Sequence, residues 1–298
     1  MNEDLKRISK FQSWILASRP KTLLAAVVPV VVGSALAINR GKFFLIYSFV
    51  ALLCSLLIQI GTNFTNDLYD FLKGADNHKR KGPLRVLASG LISVNEMKVG
   101  SFLVFFTAFL LGLYLVYACG IVVLIIGIIS IIAGIAYTAG PFPLAYNGLG
   151  DIFVFIFFGV VGTTGTYFLH LREFSLLSFL TSVPVGALVT NILVVNNFRD
   201  IEEDKAAGKN TLAVFFGRNF TRYQFIFLLL ASFAIPAILF LLFNFHVWIF
   251  LPYLTLPLAY RLVIMLYTLD GLQLNKTLEL TAKFSALFGI LFAAGLTL

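Results

Sequence analysis

The sequence predicts an all-α, polytopic membrane protein with nine spanning helices, and three observations carry that prediction. The chain is 59% hydrophobic and 12% charged over 298 residues, with a mean hydropathy of +0.94, far more apolar than a water-soluble domain requires. Its apolar runs recur at the length of a bilayer crossing, about 20 residues. Its cations are confined almost wholly to one set of connections, the asymmetry that orients helical membrane proteins.

Taken in order, residues 8–16 place Ile8, Phe11, Trp14 and Ile15 among Lys and Gln, which predicts a short interfacial helix. Apolar runs follow at about 22–39, 43–62, 98–117, 120–139, 151–170, 176–195, 223–243, 247–267 and 281–298. In hydrocarbon a backbone must satisfy its own polar groups, so these runs form helices. The alternating strand pattern of a membrane β-barrel is absent from the sequence. Connections such as Cys119-Gly120 and Asn244-Phe245-His246 are too short to be linkers, and 1–298 reads as a single domain. The first apolar run is too long for a cleaved signal and lacks a clear cleavage site.

With the N-terminus inside, nineteen Lys and Arg fall on the inner side, against Arg40, Lys42 and Arg172 on the other. Nine spans then leave the C-terminus outside. The net charge of +8 is thereby a topology signal, and no nucleic-acid partner is expected. Lys79, Arg80 and Lys81 read as a patch facing lipid headgroups. Cys54 and Cys119 lie in separate apolar runs and read as buried thiols. His78, His170 and His246 make no ligand pattern. Gly159, Gly162, Thr163 and Thr166 read as small residues that let helices pack closely.

Two acidic clusters interrupt this background. Asn63, Asn66, Asp67, Asp70 and Gly74 form the first; Asn197, Asp200, Asp204 and Gly208 form the second, offset by 134 positions. On a helix each set shares one face. Acids flanked by oily sequence are expensive, so two matched sets point to function. Crowded carboxylates repel by roughly 4 kcal/mol at 4 Å and intermediate dielectric, and a divalent cation relieves that repulsion. Hard oxygen ligands suit Mg²⁺, which commonly bridges carboxylates to substrate phosphates. Lys73, Arg85, Arg199 and Lys209 lie close by in sequence to bind a diphosphate. Asn63, Asn66 and Asn197 are candidates to ligate or orient, and Arg19 and Lys21 to complete the electropositive mouth. Gly74 and Gly208 would turn the chain close to bound phosphate.

Each cluster opens a long loop, roughly 67–97 and 199–222, the two loops large enough to cover a site. A third connection, Tyr137 to Asp151, is rich in Gly and Pro and carries no Lys or Arg, although it should face inward. It is expected to tuck into the protein, which favours functional roles for Tyr137 and Tyr146.

At these residues the chain resembles the UbiA superfamily of intramembrane prenyltransferases, over essentially its whole length. Four stretches carry the likeness: Ser18-Arg-Pro-Lys-Thr22, Asn66 to Asp76, Tyr137 to Asp151, and Asn197 to Leu212. Within the superfamily they are most similar to the branch that acts on 1,4-dihydroxy-2-naphthoate in menaquinone synthesis. The resemblance implies a helical bundle around a central cavity with a cytoplasmic cap. It implies Mg²⁺ held by Asp67, Asp70, Asp76, Asp200 and Asp204, a polyprenyl diphosphate donor and an aromatic acid acceptor that loses CO₂. Many relatives carry a third Asp where this chain has Gly74, and Asp76 supplies the acid instead. Asp151 or Tyr146 would orient the acceptor. The rival readings are another aromatic acceptor, a secondary transporter, which also uses membrane acids and repeats, and a phosphatidyl-type transferase, which resembles this chain less because its acids form one contiguous motif.

Overall fold

Nine apolar stretches become helical in the computed structural model, which describes residues 8–74 and 85–298. The helices are α1 (Lys10–Ser18), α2 (Pro20–Asn39), α3 (Leu45–Leu72), α4 (Val94–Cys119), α5 (Ile121–Ala136), α6 (Gly150–Val154), α7 (Gly162–Leu171), α8 (Leu176–Arg199), α9 (Ile201–Ala206), α10 (Leu212–Phe243), α11 (Leu256–Thr268) and α12 (Leu274–Thr297). Among the described residues there is no strand. Among the described residues eight helical segments are long and apolar enough to cross a bilayer. The remaining expected span, α5, has 16 residues and falls short of the roughly 20 a full crossing needs. The chain is an integral, multi-pass membrane protein.

Several limits differ from the sequence expectation. Helix α3 runs to Leu72 rather than stopping near 62, so Asp67 and Asp70 lie on its last turns and not in a loop. The polar residues lower the local hydropathy without breaking helical geometry. Helix α10 starts at Leu212 rather than 223 and kinks at Gly217, where φ is +77°. The second acidic set does not share one continuous helix: α8 ends at Asp200, whose φ and ψ of −99° and 13° break the ladder before α9. The 151–170 span is also irregular, since Phe155–Val161 is a π-helix between α6 and α7.

The bundle has a solid half and a hollow half. Helices α8 and α2 are 72% and 61% buried along their most apolar windows, whereas α3 is only 11% buried. Around α2 and α8 a continuous core gathers Leu36, Leu188, Val195, Phe225, Phe284, Phe288 and Phe292. Residues 51–60 of α3 are all half-buried, because one flank of that helix faces an open chamber. Helix α1 is capped by a reciprocal Ser9–Gln12 pair and docks through Trp14, whose ring lies 5.2 Å from that of Phe64.

Small residues set the closest crossings, as the sequence suggested. A Cβ added at Gly159 would sit 2.5 Å from Gly186 Cα, and one at Gly162 would sit 2.8 Å from Pro29. These contacts join the π-helical segment to α8 and the start of α7 to α2. Gly159→Ala should therefore force the crossing apart, costing about 1–3 kcal/mol. The expected readout is a lower unfolding midpoint in detergent, and an unchanged midpoint would refute the close-packing role.

Candidate active site

The first cluster sits at the end of α3, with Asn63, Asp67 and Asp70 buried and Asn66 half-buried. Asn63 faces the junction of α1 and α2, donating Nδ2–H to the Ser18 carbonyl at 2.9 Å and to Thr22 Oγ1 at 3.4 Å. It braces the left-handed turn at Arg19, where φ is +52°, and that turn points Arg19 into the chamber. Asp70 accepts from Arg85 Nη2 at 3.1 Å and from the Tyr146 hydroxyl at 2.8 Å. The same guanidinium lies 3.7 Å from Asp67. Gly74 leaves the helix with φ of +72° and Gly208 does likewise at +70°, a conformation that favours glycine at both sites.

The Tyr137–Asp151 connection, which carries no Lys or Arg, is tucked in at Thr138 and Tyr146 against this acidic end. Thr138 Oγ1 donates to Asn66 Oδ1 at 2.8 Å, and Lys73 Nζ donates to the Thr138 carbonyl at 2.8 Å. Lys73 also stands 4.3 Å over the Tyr146 ring. Burial lowers the Lys73 pKa while the Asp70 charge opposes the shift. Gly140, Pro141 and Phe142 at the tip of the connection are exposed, while Thr138, Ala145 and Asp151 are buried.

The second cluster is built around Arg199, which is 1% exposed. Its Nε and Nη2 each lie 2.6 Å from Asp200, Nη1 donates to Asn275 at 2.7 Å and Nη2 to Asn196 at 2.9 Å. Expected to bind diphosphate, Arg199 is placed instead as a buried brace for Asp200. Lys209 Nζ lies 3.4 Å from Asp204 Oδ1. Burial pushes the Asp204 pKa up to about 6; Lys209 opposes the shift, and the charges of Asp200 and Asp70 reinforce it. Asp204 Oδ2 and Asn197 Oδ1 are buried oxygens that accept no hydrogen bond.

Tyr146 joins the two clusters. Its hydroxyl holds Asp70, its carbonyl accepts from the Asn210 amide at 3.0 Å, and Lys209 Nζ lies 5.9 Å from its ring centroid. A chain of contacts thus runs from Asp70 through Tyr146 and Lys209 to Asp204. Beneath it opens a chamber of about 410 Å³, with Arg19, Asn66, Asp70, Arg85 and Lys209 among its polar lining and Ile58, Phe109, Val116, Leu124 and Phe157 among its apolar lining. The lining follows α3 from Asp70 back to Ala51, roughly 28 Å at 1.5 Å per helical residue. Tyr137 lines the chamber too. Burial raises its pKa, as do Asp151, Asp70 and Asp204 nearby.

Not every candidate reaches this mouth. Lys21 pairs with Glu279 at 2.7 Å with its side chain 77% exposed. Asp76 lies outside the described residues, as do His78, Lys79, Arg80 and Lys81. Asp151 is buried and accepts from Gln224 Nε2 at 3.2 Å. Gln224, Thr138, Asn196 and Asn275 escaped the sequence reading; the first stands out afterwards as a lone amide within an apolar run.

Among the described residues no three His, Cys, Asp or Glu side chains converge on one point. The donor chemistry nonetheless fits Mg²⁺, which takes one or two carboxylates and completes its shell with water and phosphate. The buried, unsatisfied oxygens of Asp204 and Asn197 are of the required hard type.

The site is an apolar chamber with buried acids and cations at one end, set in a bundle of membrane-length helices. The chain belongs to the UbiA prenyltransferase family, whose model matches residues 26–290. It is a prenyltransferase by that membership. It is 38% identical to the 1,4-dihydroxy-2-naphthoate octaprenyltransferase of Escherichia coli strain K12, over 98% of this chain and 97% of that one. The Bacillus subtilis strain 168 protein of the same name is 33% identical over 94% and 90% of the two chains. Among solved structures, a UbiA homolog from Archaeoglobus fulgidus bound to GPP and Mg²⁺ matches with a TM-score of 0.67 at 19% identity, over 96% of this chain and all of that one. The apo UbiA homolog from Aeropyrum pernix K1 gives 0.69 at 15% identity, over 91% and 96%. These two likenesses bear out the fold.

A cation held by Asp204 would require the ionised carboxylate, so its affinity should fall as pH drops through about 6. Titrating Mn²⁺ at saturating inorganic pyrophosphate against the purified protein checks this, and a profile flat from about pH 5 to about pH 8 would contradict it.

Proposed function

We propose that the protein transfers a polyprenyl group from polyprenyl diphosphate to 1,4-dihydroxy-2-naphthoate, with release of diphosphate and loss of the carboxylate as CO₂, to give demethylmenaquinol, the reduced form of demethylmenaquinone. The observation that carries this reading is the Asp70–Tyr146–Lys209–Asp204 chain of contacts, which joins two acid clusters over an apolar chamber. The names of the relatives in Escherichia coli and Bacillus subtilis support the naphthoate acceptor.

Asp67, Asp70, Asp200 and Asp204 would hold Mg²⁺, with Asp76 as a further candidate. Bound there, Mg²⁺ supplies the charge that stabilises the departing diphosphate. Arg19, Lys73, Arg85 and Lys209 bind non-bridging oxygens of the diphosphate, and Asn66 and Asn197 orient the carboxylates. Asn63 and Arg199 hold the two clusters in place. The prenyl tail occupies the apolar chamber, whose walls keep water from the allylic carbon as its bond to oxygen breaks. Aromatic faces such as Phe157 and Tyr137 stabilise the positive charge that develops there. A ring carbon of the acceptor forms the new bond, and the electron pair of the leaving carboxylate restores the ring. Tyr137, Tyr146 and Asp151 orient the acceptor. The acidic mouth and the N-terminus face the cytoplasm and the C-terminus the opposite side, in line with the cation bias of the connections.

The test is a purified preparation given Mg²⁺, a labelled prenyl diphosphate and 1,4-dihydroxy-2-naphthoate, with products identified by mass. Asp70→Asn and Asp204→Asn should each lower turnover beyond the roughly 100-fold that loss of a mere supporting partner costs, with membrane insertion retained. Near-normal turnover in both would overturn the assignment.

A further inference from the structure

Four buried carboxylates at the mouth each lie against a cation of the chain itself. Arg85 serves Asp67 and Asp70, at 3.7 and 3.1 Å. Arg199 serves Asp200 at 2.6 Å, and Lys209 serves Asp204 at 3.4 Å. Lys73 and Arg19 stand close by, the first over the Tyr146 ring and the second in the chamber lining. Among the described residues each of these four acids is thus paired with a cation, and no cage of three acids is offered.

The three paired cations are not equivalent. Arg199 has partners on all three nitrogens and does not line the chamber. Arg85 and Lys209 do line it, on opposite clusters. Their charged ends can therefore turn from carboxylate to a phosphoryl oxygen placed in the chamber.

We propose that Arg85 and Lys209 are resident cations that exclude a bare divalent ion from the acid clusters and yield their places only when the ion arrives with diphosphate. The proposal rests on the function put forward above. A bare ion entering the mouth meets carboxylates that already hold a cation, and must break those ion pairs without offering the displaced group an anion in return. A metal–diphosphate complex removes that obstacle, because its oxygens accept the displaced guanidinium and ammonium groups. Arg85 and Lys209 are thus specificity-determining for the form in which metal is taken up.

Two measurements on the full-length protein in detergent test this. The first titrates Mn²⁺ alone, following the unbound ion by electron paramagnetic resonance. The second measures retention of labelled inorganic pyrophosphate at saturating Mn²⁺ by equilibrium dialysis. Arg85→Gln and Lys209→Gln should each bind Mn²⁺ alone about tenfold more tightly than the wild type, equivalent to ~1.4 kcal/mol. Both should retain pyrophosphate about tenfold less well, by the same conversion. Arg85→Lys, which keeps the charge, should resemble the wild type toward Mn²⁺ alone. Arg218→Gln, which removes a cation paired with Asp270 at 3.1 Å and absent from the chamber lining, should change neither quantity. Should Arg85→Gln fail to fold, Lys209→Gln decides. Mn²⁺ affinity that stays the same or weakens in the Gln variants overturns the proposal, while intact pyrophosphate retention leaves the proposed function standing. A wild-type protein that retains no pyrophosphate with Mn²⁺ overturns both.

Discussion

Four carboxylates buried at the end of an apolar bundle impose the constraint around which the rest of the mouth is arranged. Moving such a group out of water costs several kcal/mol even after the protein relaxes. A cation about 3 Å away returns roughly 5 kcal/mol at intermediate dielectric, so the ion pairs come near to balance and do little to hold the fold. The apolar core around α2 and α8 does that. The acids, with their matched cations, are tolerated because the core can bear them, and groups kept at such cost in a membrane protein belong to function.

The division of the bundle follows from that burden. One half packs densely, with Gly159 against Gly186 and Gly162 against Pro29 drawing backbones together. The other half leaves an apolar chamber, which hydrocarbon can fill without the penalty that an empty cavity would carry in a water-soluble core. The dense half holds Arg199, Asp200 and Asn275 in fixed register. The hollow half supplies the opposite acid pair from α3, whose flank faces the chamber. A π-helical segment lies where the two halves meet. Its extra residue per turn widens the helix, and Phe157, Phe158 and Val161 line the chamber from there.

Much of this was legible in the sequence, for identifiable reasons. Apolar runs the length of a membrane crossing gave all nine helical stretches, and the acid spacing marked both clusters. The lack of charge between Tyr137 and Asp151 marked a connection that folds inward, as the Thr138–Asn66 bond bears out. What hydropathy could not resolve was where helices end when polar residues enter them, and so α3 runs ten residues further than its apolar run. The π-helix was equally invisible, since no residue pattern in Phe155–Val161 marks it; it packs against α8 through Gly159 and Gly186. Sequence adjacency also misled: Arg199 stands next to Asp200, and that nearness is what commits its guanidinium to the neighbouring carboxylate. Gln224 approaches Asp151 across 73 positions, a distance no local pattern spans.

The 134-residue echo between the clusters carries a last consequence, because the two copies arrive at the mouth by unlike geometry. The first lies on an unbroken helix, with Asp70 held by a tyrosine hydroxyl and by an arginine from another segment. The second straddles a break at Asp200, whose carboxylate is clasped by the adjacent, fully engaged Arg199. A clasp of two bonds ties Asp200 to its neighbour Arg199, which Asn275 holds in turn, whereas the partners of Asp70 come from the Arg85 segment and from the inward-folded connection. Equal motifs thus make unequal ends: one fastened through Arg199 to the dense half of the bundle, and one fastened to the parts that border the chamber.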